Sequence, residues 1–288
     1  MNKVILMSML FGIVTPVVKS DGNDGIFSYK IGQFEVYILV ESERDGNIDI
    51  LIGADKNILD RYIPANGFKH TANAVLVKGT GQNILIDTGT GAGGIIIEKI
   101  KKLGVQPENI DAVLITHLHG DHFGSLQSNG TAAFPKAKIY LSVKELEYFT
   151  KTNVNRGAVA ALTPYSSRTV TFEPAELGQK LSEILPGISP IAAYGHTPGH
   201  TVYLLENNGE KLLVAGDLLH VALVQFPVPE ISATYDMDQK AAASIRRQVL
   251  EYAAKNNISL AGMHIVYPGM GKVSVDGTGF KFTPLVSR

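Results

Sequence analysis

The chain has 288 residues, of which 45% are hydrophobic and 18% are charged, and its formal net charge at pH 7 is −1. A chain of this length and composition buries a large core and most simply forms one domain. The small net charge and the lack of a block of lysine and arginine argue against nucleic acid as a partner, because phosphate binding needs clustered cations.

The amino terminus has the pattern of an export signal. Lys3 supplies a positive charge, and the segment from Val4 to Val18 is mostly apolar. This segment is too short, and too interrupted by Pro16, for a membrane span of about 20 apolar residues. We therefore predict a signal peptide over residues 1–20 and one domain over residues 21–288, periplasmic or secreted and without a membrane span. A buried first strand or a disordered leader is the alternative.

Alternating and helical patterns follow one another along the rest of the chain. Alternation and β-branched residues predict strands near 34–41, 73–79, 83–87, 112–116, 138–142, 189–194, 201–206, 211–216 and 259–264. Helical spacing predicts helices over 92–103, 143–150 and 238–256. The polar segment 45–69 is interpreted as a loop that covers one rim of the sheets. The mixed order indicates an α+β fold with two sheets packed face to face and helices outside.

Four metal-ligand side chains follow the predicted strand at 112–116. His117 and His119 point to the same side of an extended or tightly turned segment. Asp121 and His122 leave a following turn and address a second point nearby. The spacing therefore suits two metal ions better than one, and the alternative is a solvated loop that is rich in histidine.

Three further candidate ligands also follow apolar runs of strand type. These are His196, Asp217 and His264. If the strands carry them to one rim of the sheets, they join the first cluster. Because the chain contains no cysteine, every ligand is a nitrogen or oxygen atom, which favours a catalytic zinc site over a thiolate structural one.

Taken in order, these side chains resemble the complete ligand set of the metallo-β-lactamase-fold hydrolases. The turn Asp87-Thr88-Gly89 resembles a turn found upstream of the histidine motif in that superfamily. Segments 216–222 and 264–269 are most similar to the branch that contains methyl parathion hydrolase and exported lactonases. The resemblance covers roughly residues 70–270 and implies a four-layer αββα sandwich.

The resemblance also implies a role for each ligand. It assigns two metal groups and one bridge: His117, His119 and His196 for the first metal, Asp121, His122 and His264 for the second, and Asp217 between them. Two divalent metal ions, with zinc expected before manganese, iron or cobalt, would share a hydroxide that acts as the nucleophile. Asp121 would in addition relay a proton to the leaving group.

The resemblance implies a metal-dependent hydrolase acting on a small ester-like molecule: a lactone, an aryl ester or an organophosphate triester, with a β-lactam also open. One alternative is an iron-dependent oxidoreductase on the same fold, although those relatives usually carry a carboxylate where His119 stands. A thioester hydrolase like glyoxalase II is the other. Proteins of the resembled branch are often dimers, so a homodimer is an open expectation.

Several residues lie beside these motifs, and some of them have two interpretations. Asp87 either orients a ligand imidazole or caps a turn. His200 is predicted to be a hydrogen-bonded structural residue, and His220 a satisfied histidine, with a substrate contact as the alternative. His70 is predicted to be a surface or loop residue. Three aromatic residues form either an apolar lip or ordinary core: Phe123, Phe226 and Tyr267.

Overall fold

A computed structural model describes residues 20–21 and 24–285 of the chain. The predicted signal peptide, except for its last residue, lies outside the described residues. Within those residues, no helix has both the length and the apolar character that crossing a membrane requires. Two sheets pack face to face, and helices cover their outer surfaces.

The strands are numbered in chain order over the described residues. They are β1 (Ser20–Asp21), β2 (Ile26–Ile31), β3 (Phe34–Asp45), β4 (Leu51–Ile52), β5 (Lys69–Gly79), β6 (Gln82–Ile86), β7 (Ala112–Leu114), β8 (Gln127–Ser128), β9 (Thr131–Ala132), β10 (Lys138–Ser142), β11 (Thr169–Phe172), β12 (Ile188–Ala192), β13 (Thr201–Asn207), β14 (Glu210–Val214), β15 (Ser232–Ala233), β16 (Ser259–Ala261), β17 (Met270–Asp276) and β18 (Gly279–Pro284).

The α-helices of the described residues are short, except for the last. They are α1 (Lys56–Tyr62), α2 (Ile95–Lys102), α3 (Gly120–Phe123), α4 (Val143–Glu147), α5 (Arg156–Leu162), α6 (Ala222–Gln225) and α7 (Gln239–Lys255). A π-helical turn over Tyr148–Thr152 continues α4. Short 3-10 turns lie at Ile48–Ile50, Ala92–Gly94, Pro107–Asn109 and Thr163–Tyr165.

Each half of the chain forms one of the two large sheets. The first has the order β1-β2-β3-β5-β6-β7-β10-β11, and the second has the order β12-β13-β14-β16-β17-β18. In the second sheet β12 and β14 are both antiparallel to β13, and β16 is parallel to β14. The strands β12, β14 and β16 therefore run in one direction, and their carboxyl ends meet at one rim.

Three layers of apolar side chains hold the sandwich together. The middle layer packs residues of both sheets against each other, among them Phe34 and Val75 from the first and Tyr203 from the second. On one outer face Ile96 of α2 packs on the first sheet, and on the other Val249 of α7 packs on the second. This burial explains the near-continuous apolar runs of the central strands, and it confirms the predicted four-layer αββα fold.

All nine predicted strands and all three predicted helices are present. The interpretation of segment 45–69 as a loop was wrong in part, because it contains β4 and α1. Asp55 caps α1 by accepting a hydrogen bond from the Ile58 amide, but seven residues are too few for helical periodicity to stand out. Strands β17 and β18 were missed because they form an outer hairpin with several exposed positions.

Candidate metal centre

Three histidine nitrogens converge at the rim where β7 and β12 end. The distance between His117 Nε2 and His196 Nε2 is 3.1 Å, and His119 Nδ1 lies 3.1 Å from the first and 3.0 Å from the second. Nitrogens that bind one zinc ion at about 2.0–2.1 Å with tetrahedral angles are about 3.3 Å apart. The three rings therefore have nearly the spacing of ligands to a single ion.

A second group of donor atoms lies beside the first. His122 Nε2 is 3.6 Å from Asp121 Oδ1, and His264 Nε2 is 3.6 Å from Asp121 Oδ2. Asp217 stands between the groups, because its Oδ1 is 3.2 Å from His122 Nε2 and its Oδ2 is 3.0 Å from His264 Nε2 and 3.4 Å from His196 Nε2. The structure thus brings all seven sequence-predicted residues together.

Local structure explains this convergence. His117 follows β7, His196 follows β12, Asp217 follows β14 and His264 follows β16. Helix α3, which begins at Gly120, turns the chain sharply after His119, so Asp121 and His122 belong to the second group and not to the first.

Four of the five candidate histidines have a partner on the ring nitrogen that faces away from the site. Such a partner fixes the ring orientation and the nitrogen that carries the proton. The pairs are His117 with Thr116 Oγ1 at 3.1 Å, His122 with Asp87 Oδ2 at 2.7 Å, His196 with Asp236 Oδ1 at 3.0 Å and His264 with the Thr71 carbonyl at 2.7 Å. Of the two interpretations of Asp87, the structure supports the imidazole-orienting one.

Burial keeps the first group of histidines neutral. It lowers the pKa of His117 and of His119 and brings the pKa of His196 down to about 3. A neutral imidazole has the lone pair that a metal ion needs. The protonation states of this group therefore suit metal binding near neutral pH.

Two carboxylates dominate the electrostatics of the second group. Burial alone would lower the pKa of His122, but the carboxylates of Asp217 and Asp121 outweigh it and raise that pKa well above its usual value. Burial would likewise raise the pKa of Asp217, yet the rings of His122 and His264 hold it well below its usual range. A divalent cation at this point would supply the positive charge that these carboxylates attract.

Two buried atoms also indicate that these residues suit a metal ion. His122 Nε2 and Asp217 Oδ1 lie 3.2 Å apart, and neither has a hydrogen-bond partner of good geometry within the described part of the chain. Polar atoms that are buried without a partner are rare in proteins and call for an explanation. A metal ion held between nitrogen and oxygen donors supplies one, and the donor set suits zinc and its neighbours.

A buried carboxylate that the sequence analysis did not single out joins the two loops carrying the first group. Glu145 of α4 accepts hydrogen bonds from Leu118 N at 2.7 Å, Thr197 Oγ1 at 2.7 Å and Gly199 N at 2.9 Å. A Cβ atom at Gly199 would lie 2.3 Å from the Glu145 amide nitrogen, so this close approach requires glycine. Burial raises the pKa of Glu145 to about 7.

The remaining histidines fall into different classes. His200 is hydrogen-bonded at both ring nitrogens, to the Ala193 carbonyl and the Asp217 amide, as predicted for a structural residue. The prediction that the ring nitrogens of His220 have hydrogen-bond partners was wrong. This ring is buried, and neither nitrogen has a hydrogen-bond partner among the described residues. His70 was also wrongly predicted, because it is buried in β5 and stacks on His264 with ring centroids 4.5 Å apart.

A cavity of about 450 Å³ opens over the metal centre and is lined by Asp121, Asp217 and His264. A larger groove of about 830 Å³ adjoins it, and His220 and His264 line both. The groove walls are mainly apolar and come from segments 62–69, 220–227, 265–267 and 280–284. Two of the three aromatic residues considered above, Phe226 and Tyr267, line the groove, whereas Phe123 belongs to the core.

Comparison with known proteins agrees with this geometry. The model of the family described as the metallo-beta-lactamase superfamily matches residues 68–257. The uncharacterized protein YobT of Bacillus subtilis (strain 168) is 30% identical over 152 residues, which are 50% of this chain and 60% of YobT. The probable metallo-hydrolase YflN of the same organism is 26% identical over 205 residues, 62% of this chain and 71% of YflN. The chain thus spans less than two thirds of the length of YobT.

Solved structures have the same architecture. The hydrolase AbOPH of the beta lactamase superfamily superposes with a TM-score of 0.82 at 28% identity, covering 92% of this chain and 98% of AbOPH. AidC, a dizinc quorum-quenching lactonase, superposes with a TM-score of 0.77 at 24% identity, covering 91% of this chain and 98% of AidC, and this likeness concerns the fold. The sequence-based expectation of a metal-dependent hydrolase is confirmed at the level of the family. Fold, ligand order and family match agree, and the chain belongs to the metallo-β-lactamase superfamily.

Proposed function

We propose that the chain is a dinuclear metal-dependent hydrolase of small, uncharged ester-like molecules. A lactone with an apolar substituent is the first choice of substrate, and an aryl ester or an organophosphate triester is the second. The observation that carries the proposal is the convergence of seven donor residues in two groups that share the Asp217 carboxylate. Two cations held close together need such an anionic bridge between them.

Each donor group has a defined task in this proposal. His117, His119 and His196 hold one ion through three neutral nitrogens. Asp121, His122 and His264 hold the other, and Asp217 contacts both groups. Divalent cations, with zinc as first choice, would supply a nucleophile from water near neutral pH and would polarise the carbonyl or phosphoryl oxygen of the substrate.

Asp121 has a second task, which is to move a proton. Its side chain is 34% exposed, whereas Asp217 is almost fully buried, so Asp121 is the carboxylate that a bound substrate reaches. Burial opposes its ionisation, but the rings of His122 and His264 lower the pKa of Asp121 below its usual value. An ionised carboxylate at the cavity wall can accept a proton and pass it to the leaving oxygen.

The groove supports the choice of substrate class. Its walls are largely apolar, with Leu223, Val266 and Tyr267 exposed along them, and it opens directly beside the metal cavity. An apolar substituent in the groove would leave the reacting group in the cavity. AidC, whose fold is shared, was solved with an N-acyl-homoserine product, which makes acyl-homoserine lactones a natural first probe.

His220 lies where the cavity meets the groove. Its amide donates to the Gln225 side chain at 2.7 Å, so the backbone is fixed, while neither ring nitrogen has a hydrogen-bond partner of good geometry in the described structure and Nε2 lies 3.4 Å from Asp217 Oδ2. We assign this ring a hydrogen bond to the substrate, at the polar atom between the reacting group and the apolar substituent. A substrate atom would then satisfy a buried polar group that the described protein residues leave unsatisfied.

The proposal is tested by metal analysis combined with a hydrolysis screen. We expect two divalent ions per chain, and turnover of acyl-homoserine lactones, with aryl esters and paraoxon as further probes. Asp217→Ala should lose at least one ion and roughly 100-fold or more in kcat/KM. Asp60→Ala, which removes an exposed aspartate on α1, is the control and should change neither.

Other outcomes of the screen would contradict the proposal. Turnover of a thioester alone would favour the glyoxalase-like alternative, and a redox-active iron centre without hydrolysis would favour the oxidoreductase alternative. Full activity of Asp217→Ala would remove the bridging role from which the dinuclear mechanism is argued.

A further inference from the structure

A buried ion pair stands behind the first donor group. Arg246 of α7 is only 1% exposed, and its Nη2 donates to Asp236 Oδ2 at 3.2 Å. The other oxygen of Asp236 is 3.0 Å from His196 Nδ1. Because a carboxylate only accepts, this contact places the ring proton on Nδ1 and leaves the Nε2 lone pair facing His117 and His119.

The same guanidinium also holds the groove wall. Its Nε donates to the Leu218 carbonyl at 2.6 Å, and its Nη1 donates to the carbonyls of Pro229 at 2.9 Å and Ile231 at 2.8 Å. These carbonyls lie at the two ends of segment 218–231, which carries His220 and the groove-lining residues of α6. The Arg246 side chain therefore binds both ends of this segment.

A stabilising role alone does not account for this arrangement. Replacing a buried ion pair with well-packed apolar side chains is often neutral or stabilising, because both charges lose their hydration. The planar guanidinium instead offers five donors in a fixed geometry, so it sets the relative positions of its acceptors. Here those acceptors are the carboxylate that orients His196 and three carbonyls of segment 218–231.

We propose that Asp236 and Arg246 form a positioning unit that couples the first metal group to the wall of the substrate groove. Asp236 aligns the His196 ring, and Arg246 ties that alignment to the position of segment 218–231. This inference rests on the proposed function for the identity of the metal group. A shift of the groove wall would then change metal affinity, and loss of the metal would loosen the wall.

The test uses conservative variants of the full chain. Arg246→Lys keeps the positive charge but loses the planar guanidinium with its five donors. We expect the metal affinity to fall about 10-fold or more, as measured by competition with a chromophoric zinc chelator. Amide hydrogen exchange in segment 218–231 should rise. Arg247→Lys is the matched control, because Arg247 lies next on α7 and pairs with Glu230 of the same segment at the surface. It should change neither quantity.

Asp236→Asn separates the effect on His196 from the effect on segment 218–231, and it is the variant to test if Arg246→Lys does not fold. It should lower metal affinity by a similar factor, with a smaller rise in exchange. Variants that fold and match the wild type in both readouts would overturn the inference, and so would an Asp236→Asn protein with unchanged affinity. Both readouts are independent of turnover, so a wild type that binds metal but cleaves no ester would contradict the proposed hydrolase and leave this test intact.

Discussion

At the scale of single residues, His220 and His200 make a contrasting pair. Both rings are buried, but both nitrogens of His200 have hydrogen-bond partners, whereas neither nitrogen of His220 has one of good geometry among the described residues, and its Nε2 only approaches Asp217 Oδ2 to 3.4 Å. A buried polar atom without a partner lowers stability, so a residue of this kind persists where function uses it. The contrast predicts opposite effects of the same substitution at the two positions.

His220→Leu should lower kcat/KM roughly 10- to 100-fold, because the substrate loses a hydrogen bond, while metal content stays at two ions per chain. Its melting temperature should be equal to that of the wild type or higher. His200→Leu should lower the melting temperature, since the Ala193 carbonyl and the Asp217 amide lose their partner. Steady-state kinetics, metal analysis and calorimetry check these outcomes. A loss of metal in His220→Leu would make this residue a ligand instead.

The ligand residues were predictable from sequence, whereas the residues around them were not. His117 to His122 form a dense local motif, and His196, Asp217 and His264 each follow an apolar run. Asp236 and Glu145 have no such local signal, because the residues of the His196 loop that they contact, His196 and Thr197, lie 40 and 52 residues away in the chain. Nothing in the sequence separates Glu145 from Glu147, which lies exposed on the same helix.

The same limit applies at the scale of elements. Central strands such as β6 and β14 are apolar because both of their faces are covered, and this pattern can be read in the sequence. The short helix α1 and the outer hairpin of β17 and β18 show only weak periodicity, since many of their positions are exposed. Sequence patterns therefore identify the buried layers of the sandwich better than the segments that border the groove.

Helix α4 joins the two ligand loops through Glu145, and the pKa of this buried carboxyl makes the stability of the fold depend on pH. In the unfolded chain this carboxyl ionises near pH 4.5, whereas burial raises its pKa in the folded protein to about 7. Between these values the folded state holds a proton that the unfolded state has released. The stability contribution of Glu145 is therefore full below pH 4.5, falls as pH rises towards 7, and is constant above.

Glu145→Gln removes this titration. The stability of the wild type relative to the variant should decrease as pH rises from about 4.5 to about 7. Urea unfolding of both proteins at equal zinc concentration measures this difference, and the pH dependence of metal binding then largely cancels. Glu147→Gln on the exposed side of α4 is the control. A stability difference that is flat across this range, or that grows with pH, would contradict the role of burial.

At the scale of the whole molecule, the metal centre lies where the two sheets meet. His117 to His122 belong to the half of the chain that forms the first sheet, and His196, Asp217 and His264 belong to the half that forms the second. Ligands drawn from both halves come together only in the folded chain. Metal binding and folding of the entire sandwich should therefore be coupled.

This coupling predicts how the protein responds to chelation. Zinc at about 1,000 times its dissociation constant stabilises the folded state by about 4 kcal/mol, which for a domain of this size raises the melting temperature by roughly 10 °C. Excess EDTA should reverse that shift and abolish hydrolysis, and added zinc should restore both. His264→Asn, which removes a ligand from the second sheet, should reduce the zinc-dependent shift, whereas Asp60→Ala should leave it intact. Calorimetry with and without zinc distinguishes these outcomes, and an equal shift in His264→Asn and the wild type would show that His264 does not bind the metal that stabilises the fold.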